Sequence, residues 1–179
     1  MHVVLSAGPA PVRVPNLVGR PAASAESAIA NTGLRYDVTL VAAPGSKADT
    51  VVRQSPGPTV SAPHASTVAL SVAEAPQWRP STTFSGVDDG RSVPIRILGG
   101  QWRVTYSMAY QGTCLLLLVC LGPSAQARDL QTGSSFGGFE LGEGSSQTHT
   151  FHSGPGLYQL EVSGGRDAAR WSMTVEDYY

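Results

Sequence analysis

The sequence predicts two domains: a small α+β unit built as strand, helix and three strands, followed by an all-β antiparallel sandwich or jelly-roll-like domain. Three observations carry this expectation. Glycine and proline trade places along the chain: ten prolines and five glycines stand through residue 80, three prolines and fifteen glycines after it. One short stretch, Ala22–Thr32, carries small and apolar residues at helical spacing, while the runs that follow it alternate with period two. All three tryptophans, Trp78, Trp102 and Trp171, lie past residue 76. The segment Glu74-Ala75-Pro76-Gln77-Trp78-Arg79-Pro80-Ser81 holds two prolines and reads as a semi-rigid connector. The expected division is therefore a domain over 11–75, a linker over 76–82 and a second domain over 83–179.

The first domain can be justified element by element. Val12–Val18, interrupted by Pro15, fits an edge strand or an extended lead-in. Gly19-Arg20-Pro21 breaks it, and proline suits the first turn of a helix. Ala22, Ala25, Ala28 and Ile29 then share one helical face, and Gly33 stands where a left-handed residue closes a helix. A stripe made mostly of alanine must pack closely on a sheet to persist. In Leu34–Ala42 the alternating set Leu34, Tyr36, Val38 and Leu40 should face that helix. Thr50–Gln54 is the next strand, ended by the turn signal Ser55-Pro56-Gly57-Pro58, and Thr67–Val72 alternates Val68, Leu70 and Val72. Val3-Val4-Leu5-Ser6-Ala7-Gly8-Pro9 echoes Val68–Ala73, so residues 1–10 read as the terminal strand of a preceding repeat.

The second domain is read as almost wholly β. Val93, Ile95 and Ile97 alternate, and Gly99-Gly100 gives a two-residue hairpin signal. Trp102, Val104, Tyr106, Met108 and Tyr110 follow on one face of a strand, with Gln101, Arg103, Thr105 and Ser107 on the other. Cys114–Leu121 is apolar on both faces, as a covered central strand would be. Tyr158, Leu160 and Val162 alternate, Gly164-Gly165 turns, and Trp171, Met173 and Val175 alternate again. Gly156–Val162 with Trp171–Val175 looks like the closing hairpin of secreted bacterial β-sandwich modules, pre-peptidase C-terminal domains among them; no function is carried across that short likeness.

One order of motifs runs through the first half: Val14-Pro15-Asn16-Leu17-Val18-Gly19, then Ala25, Ile29, Gly33 and Leu34, then Val51-Val52-Arg53-Gln54-Ser55-Pro56 and Ser66–Val72. In these residues the first half resembles a known family, the PASTA repeat of bacterial Ser/Thr kinases and penicillin-binding proteins. The resemblance covers roughly residues 13–74. Thr59 and Ala65 depart from it, standing where the family usually has glycine. The resemblance implies non-catalytic recognition of peptidoglycan fragments or cell-wall precursors in an extracellular or cell-envelope setting. Anionic muropeptides favour cations, and the segment 13–75 offers Arg13, Arg20, Arg35, Lys47 and Arg53 against Glu26, Asp37, Asp49 and Glu74, a balance of 5 − 4 = +1. That is no electrostatic trap. Among these cations Arg20, Lys47 and Arg53 are the candidate ligand contacts.

Composition excludes other classes. The 179 residues carry a formal charge of −1, with 14% charged residues, which is no nucleic-acid footprint. At 41% hydrophobic residues the chain is not disordered throughout. The longest apolar run, Cys114–Leu121, is eight residues, too short to insert in a membrane. The first ten residues hold no cationic n-region, so no signal peptide is visible. Two cysteines make neither a disulfide framework nor a structural zinc site, and in a regular strand Cys114 and Cys120 stand about 20 Å apart. Gly133-Ser134-Ser135-Phe136-Gly137 matches the serine-hydrolase elbow, yet the glycines after it cannot begin a helix, and a flexible loop is expected. His149 and His152 fall on opposite faces of a strand and would not share a metal; Asp88-Asp89-Gly90 reads as a turn. With Lys47 the only lysine, no transpeptidase set exists, and kinase signatures are absent. The expected protein is thus a wall-binding or wall-sensing part of a larger envelope protein, with no catalytic residues, metal or cofactor. The competing readings are a spacer and an accessory binding module of a secreted enzyme.

Overall fold

The computed structural model describes residues 8–109, 123–164 and 169–179. The chain divides into two compact units, Met1–Pro76 and Gln77–Tyr179. The echo at Val3–Ala7, the strand expected at Cys114–Leu121, and Tyr110 and Gly165 lie outside the described residues.

In the first unit, β1 (Val12–Arg13) leads to α1 (Ala22–Ala30), then β2 (Arg35–Val41), β3 (Val51–Ser55), β4 (Ser61–Ala62) and β5 (Thr67–Ala73). β5 is the central strand of a three-stranded sheet, parallel to β2 and antiparallel to β3. β1 pairs over two residues with β4, a strand the sequence did not announce. The helix buries Ala25 and Ile29 in one core with Val14, Leu17, Leu34, Val51, Ala62, Val68, Leu70 and Val72, and Ala22 and Ala28 pack at its border. It closes at Gly33, whose φ is +75° and whose hydrogen faces His64; a Cβ there would meet the imidazole at 2.5 Å.

The side chain of Gln54 explains why the Gln-Ser-Pro turn and the Pro15-Asn16-Leu17 segment belong together. Its Oε1 accepts the Leu17 N–H at 2.7 Å, and its Nε2 donates to the carbonyls of Pro15 at 3.0 Å and Pro56 at 3.2 Å. One amide thus satisfies backbone groups of two segments that belong to no shared ladder.

β2 departs from expectation. Its register with β5 places Tyr36, Val38 and Leu40 beside Val68, Leu70 and Val72, on the sheet face that carries the buried set. Yet they are 44%, 36% and 62% exposed, and only Leu34, at the head of the strand, is buried. The nine-residue helix, about 13.5 Å long, approaches β2, but its mostly alanine stripe does not bury these three side chains. The two departures from the family pattern are also resolved: Thr59 and Ala65 both adopt left-handed backbone, with φ of 66° and 63°.

The second unit contains β6 (Trp78–Val87), β7 (Gly90–Arg91), β8 (Ile95–Ile97), β9 (Gln101–Ala109), β10 (Ser124–Asp129), β11 (Ser135–Glu140), β12 (Gly144–Phe151), β13 (Gly156–Ser163) and β14 (Arg170–Tyr178). Residues 78–82 therefore belong to a strand of this unit. The strands form two antiparallel sheets, one ordered β12-β9-β14-β6, the other β11-β10-β13 with β7 and β8 along the far side of β13. Trp102, Val104, Tyr106, Met108, Trp171, Met173 and Val175 from the first sheet share one core with Ile95, Ile97, Ala125, Ala127, Tyr158, Leu160 and Val162 from the second. Trp102 stacks on Phe151 at 4.1 Å and on Tyr158 at 5.4 Å. The unit is an antiparallel β-sandwich, with the alternation read from the sequence on its inner faces. Val93 is the exception: at 65% exposed it precedes β8 and does not join the core.

Two turns differ from their sequence reading. Gly99-Gly100 joins β8 in one sheet to β9 in the other, so it is a crossover and no hairpin. Gly156–Val162 and Trp171–Val175 likewise sit in opposite sheets and do not pair. At the crossover the chain passes against the end of β14: a Cβ on Gly99 would lie 1.9 Å from the Tyr178 carbonyl oxygen. The Asp177 carboxylate, 2% exposed, accepts the N–H groups of Leu98 at 2.6 Å and Gly99 at 3.0 Å. Trp171 shows the same economy of space. Cβ atoms on Gly86 and Gly90 would meet its ring at 2.4 and 2.6 Å, and its indole N–H donates to the Asp88 carbonyl at 2.8 Å.

Two stability outcomes follow. Asp177→Asn removes one acceptor and sets an amide against the crossover N–H groups, so the second unit should lose about 1–3 kcal/mol in chemical denaturation. Intrinsic tryptophan fluorescence reads that unit alone, because all three tryptophans belong to it. Thr59→Gly relieves a left-handed β-branched residue at a cost in unfolded-state entropy, for a net gain of about 0.5–1 kcal/mol. Slower amide exchange at Val68 and Leu70 would record it, and unchanged exchange would show that Thr59 carries no strain.

Candidate binding surface

Arg20 and Lys47 are brought to one end of the first unit by backbone hydrogen bonds. The Val51 N–H donates to the Arg20 carbonyl at 2.9 Å, and the Gly19 N–H to the Val51 carbonyl at 2.8 Å. Lys47 lies in the loop from β2 to β3, which crosses the end of β5 where the Asp49 N–H donates to the Ala73 carbonyl. The same loop meets the first residue of α1, whose Ala22 N–H donates to the Asp49 carbonyl at 2.8 Å. Arg53 stands two residues beyond Val51 on β3, at an exposed position past the bulge that separates them.

The electrostatics of this end favour anions. α1 has no side-chain cap at Pro21 and no acidic residue in its first turn; the Asp49 carbonyl takes its first N–H, and its dipole still favours negative charge at this end. Arg13, Arg20, Arg35, Lys47 and Arg53 are all exposed and form no ion pair among the described residues. In the second unit, by contrast, Arg91 and Arg128 both reach Glu161, and Arg103 reaches Glu176.

The strip Tyr36, Val38 and Leu40 is the part of this unit's surface that sequence reasoning missed. Alternation identified the face correctly; nothing local revealed that the helix would leave these three side chains exposed. Among the described residues β2 pairs on one side only, with β5.

The chemistries weighed for the second half resolve as structure. Ser135 begins β11, which pairs with β10, so the stretch expected to be a flexible loop is largely a strand, and no helix follows it. Gly137, with φ of 60°, sits against Phe151. His149 is half-buried on β12, stacked on Phe139 at 4.8 Å, while His152 is exposed beyond the end of that strand. Among the described residues no group of three or more His, Cys, Asp or Glu could hold a metal ion. Asp88 turns with φ of 55°, and its carboxylate accepts the Ala169 N–H at 3.0 Å. Cys114 and Cys120 lie outside the described residues. A cleft of about 460 Å³ is lined by Arg96, Leu98, Gln131 and Leu157. No described helix is long and apolar enough to cross a membrane.

The family model described as PASTA domain matches residues 12–74. Among solved structures, the entire extracellular region of the Ser/Thr kinase PrkC from Staphylococcus aureus is similar over 90% of this chain and 51% of that one, at 14% identity and a TM-score of 0.34. The chain thus spans about half the length of that solved chain. No curated protein matches it in sequence.

Proposed function

We propose, from the match of residues 12–74 to the PASTA domain model, that the chain is a non-catalytic, extracellular or envelope-located part of a larger bacterial protein that binds peptidoglycan or its muropeptide fragments. The observation that carries this reading is the family match on a unit whose Arg and Lys side chains are exposed and, among the described residues, form no ion pair. The ligand's carboxylates meet the start of α1, with Arg20 and Lys47 beside it and Arg53 further along β3. The aliphatic portions of a stem peptide lie along Tyr36, Val38 and Leu40. No cofactor or metal takes part, and recognition rests on many weak contacts whose strength grows when several copies of the domain engage together.

Co-sedimentation of the full chain with purified, insoluble peptidoglycan tests this. Each exposed charge contact contributes about 0.2–1 kcal/mol, so the triple variant Arg20→Glu, Lys47→Glu, Arg53→Glu should pellet at least about fivefold less than the parent chain. All three positions are exposed, so a folded amide spectrum is expected to be kept. Equal pelleting of variant and parent would remove these residues from the site. Failure of the parent to pellet, together with absence of muropeptide-induced shifts in residues 12–74, would overturn the wall-binding reading.

A further inference from the structure

The outer face of the sheet β12-β9-β14-β6 is a lattice of hydroxyl groups. The register aligns Thr83, Thr174, Thr105 and Thr148 in one rank across all four strands. Ser85, Ser172 and Ser107 form a second rank two residues away. Thr83 and Thr174 share a hydrogen bond at 3.1 Å, and Thr105 and Thr148 another at 3.2 Å. A hydroxyl has one donor and two acceptor sites, so each bonded pair keeps a donor and several lone pairs free and is held in a fixed orientation.

The rank on the other side holds Glu176, Arg103 and Thr150, in which the one cation and one anion neutralise each other through an Arg103 Nε to Glu176 Oε2 bond. Beyond it come Trp78 and Tyr178, their rings 5.0 Å apart, with the Arg103 guanidinium 4.3 Å over the Trp78 ring. Both residues are half-buried. Arg170 borders the serine end. With strands about 4.8 Å apart and about 3.4 Å per residue, the ranks from Ser172 to Tyr178 cover an area of about 14 by 20 Å.

A repeating array of small hydroxyls with cancelled charge at its centre does not select an anion, a cation or an apolar helix. It offers alternating donors and acceptors at regular spacing, and half-buried amphipathic rings at one end whose exposed parts accept C–H groups. The chemistry that matches both is a polymer that is itself uncharged, polyhydroxylated and C–H-rich on its ring faces. We propose that this face of the sandwich binds a neutral glycan chain laid across the threonine and serine ranks towards Trp78 and Tyr178. This surface is separate from the one assigned to residues 12–74 and does not depend on that assignment.

Titration of the ¹⁵N-labelled full chain with chitohexaose and with cellohexaose tests the proposal. With at least one of them, shifts are expected at Thr83, Ser85, Thr105, Ser107 and Thr174 and at the Trp78 indole N–H. Thr105→Val with Thr174→Val keeps the shape and strand preference of both residues while deleting two hydroxyls, and should weaken binding at least tenfold with the rest of the spectrum intact. Arg96→Gln, in the cleft of the other sheet, should leave binding unchanged. Absence of shifts with either sugar up to millimolar concentration overturns the proposal. So do shifts confined to residues 12–74, which belong to the other surface, and shifts on the face that survive undiminished in the valine variant.

Discussion

The buried carboxylate of Asp177 is the interaction on which the second unit most depends. A chain leaving one sheet for the other must abandon its ladder, and the abandoned N–H groups must find partners in a place without water. Asp177 supplies both acceptors from β14, the central neighbour of β9 and β6. Its reach is short, so the crossover has to touch the end of β14, and only a residue without a Cβ can pass the Tyr178 carbonyl there. Fixing Leu98 and Gly99 in turn fixes the end of β8 against β13 and the start of β9. Three residues past Gly99 stands Trp102, whose ring is stacked between Phe151 and Tyr158 at the centre of the core.

The fold class and most inner faces were legible because alternation is local. Trp102, Val104, Tyr106 and Met108 could be placed on one side of β9 by counting in twos. What failed involved partners distant in sequence. Gly99-Gly100 has two physical meanings, a tight hairpin or a close approach of backbones, and the sequence alone favours the first; the second was decided by Tyr178, almost eighty residues away. The apparent closing hairpin failed for the same reason, since two alternating runs joined by glycines pair equally well on paper whether they share a sheet or face one another across it. Thr59 and Ala65 are instructive in the opposite sense. The turns kept the geometry that glycine would allow, and the side chains adapted to it at a local energetic cost.

The proposed binding surfaces were legible only in part. Charge counting produced Arg20, Lys47 and Arg53, but the setting of the first two beside the start of α1 comes from the hydrogen bonds that fold the β2–β3 loop onto Ala22. The outer face of β9 was visible as Gln101, Arg103, Thr105 and Ser107, a polar alternation that any exposed strand might show. Its meaning changes once register aligns it with Ser172, Thr174 and Glu176 on one side and Thr148 and Thr150 on the other. A two-dimensional pattern cannot be read from one strand.

The uncovered edge of β2 bears on how the first unit stays soluble. An edge strand, paired among the described residues only with β5 and carrying Tyr36, Val38 and Leu40 on one face, is a template for another chain to extend the sheet. The opposite face of the same strand carries Arg35, Asp37 and Thr39, all exposed. Two identical edges docking antiparallel in register would bring Arg35 against Val41 and leave Asp37 facing Thr39, so neither charge gains a partner while both lose water. The alternating charges thus act as gatekeepers, leaving the apolar strip open to a small, soluble ligand while discouraging the strand from recruiting its own copies.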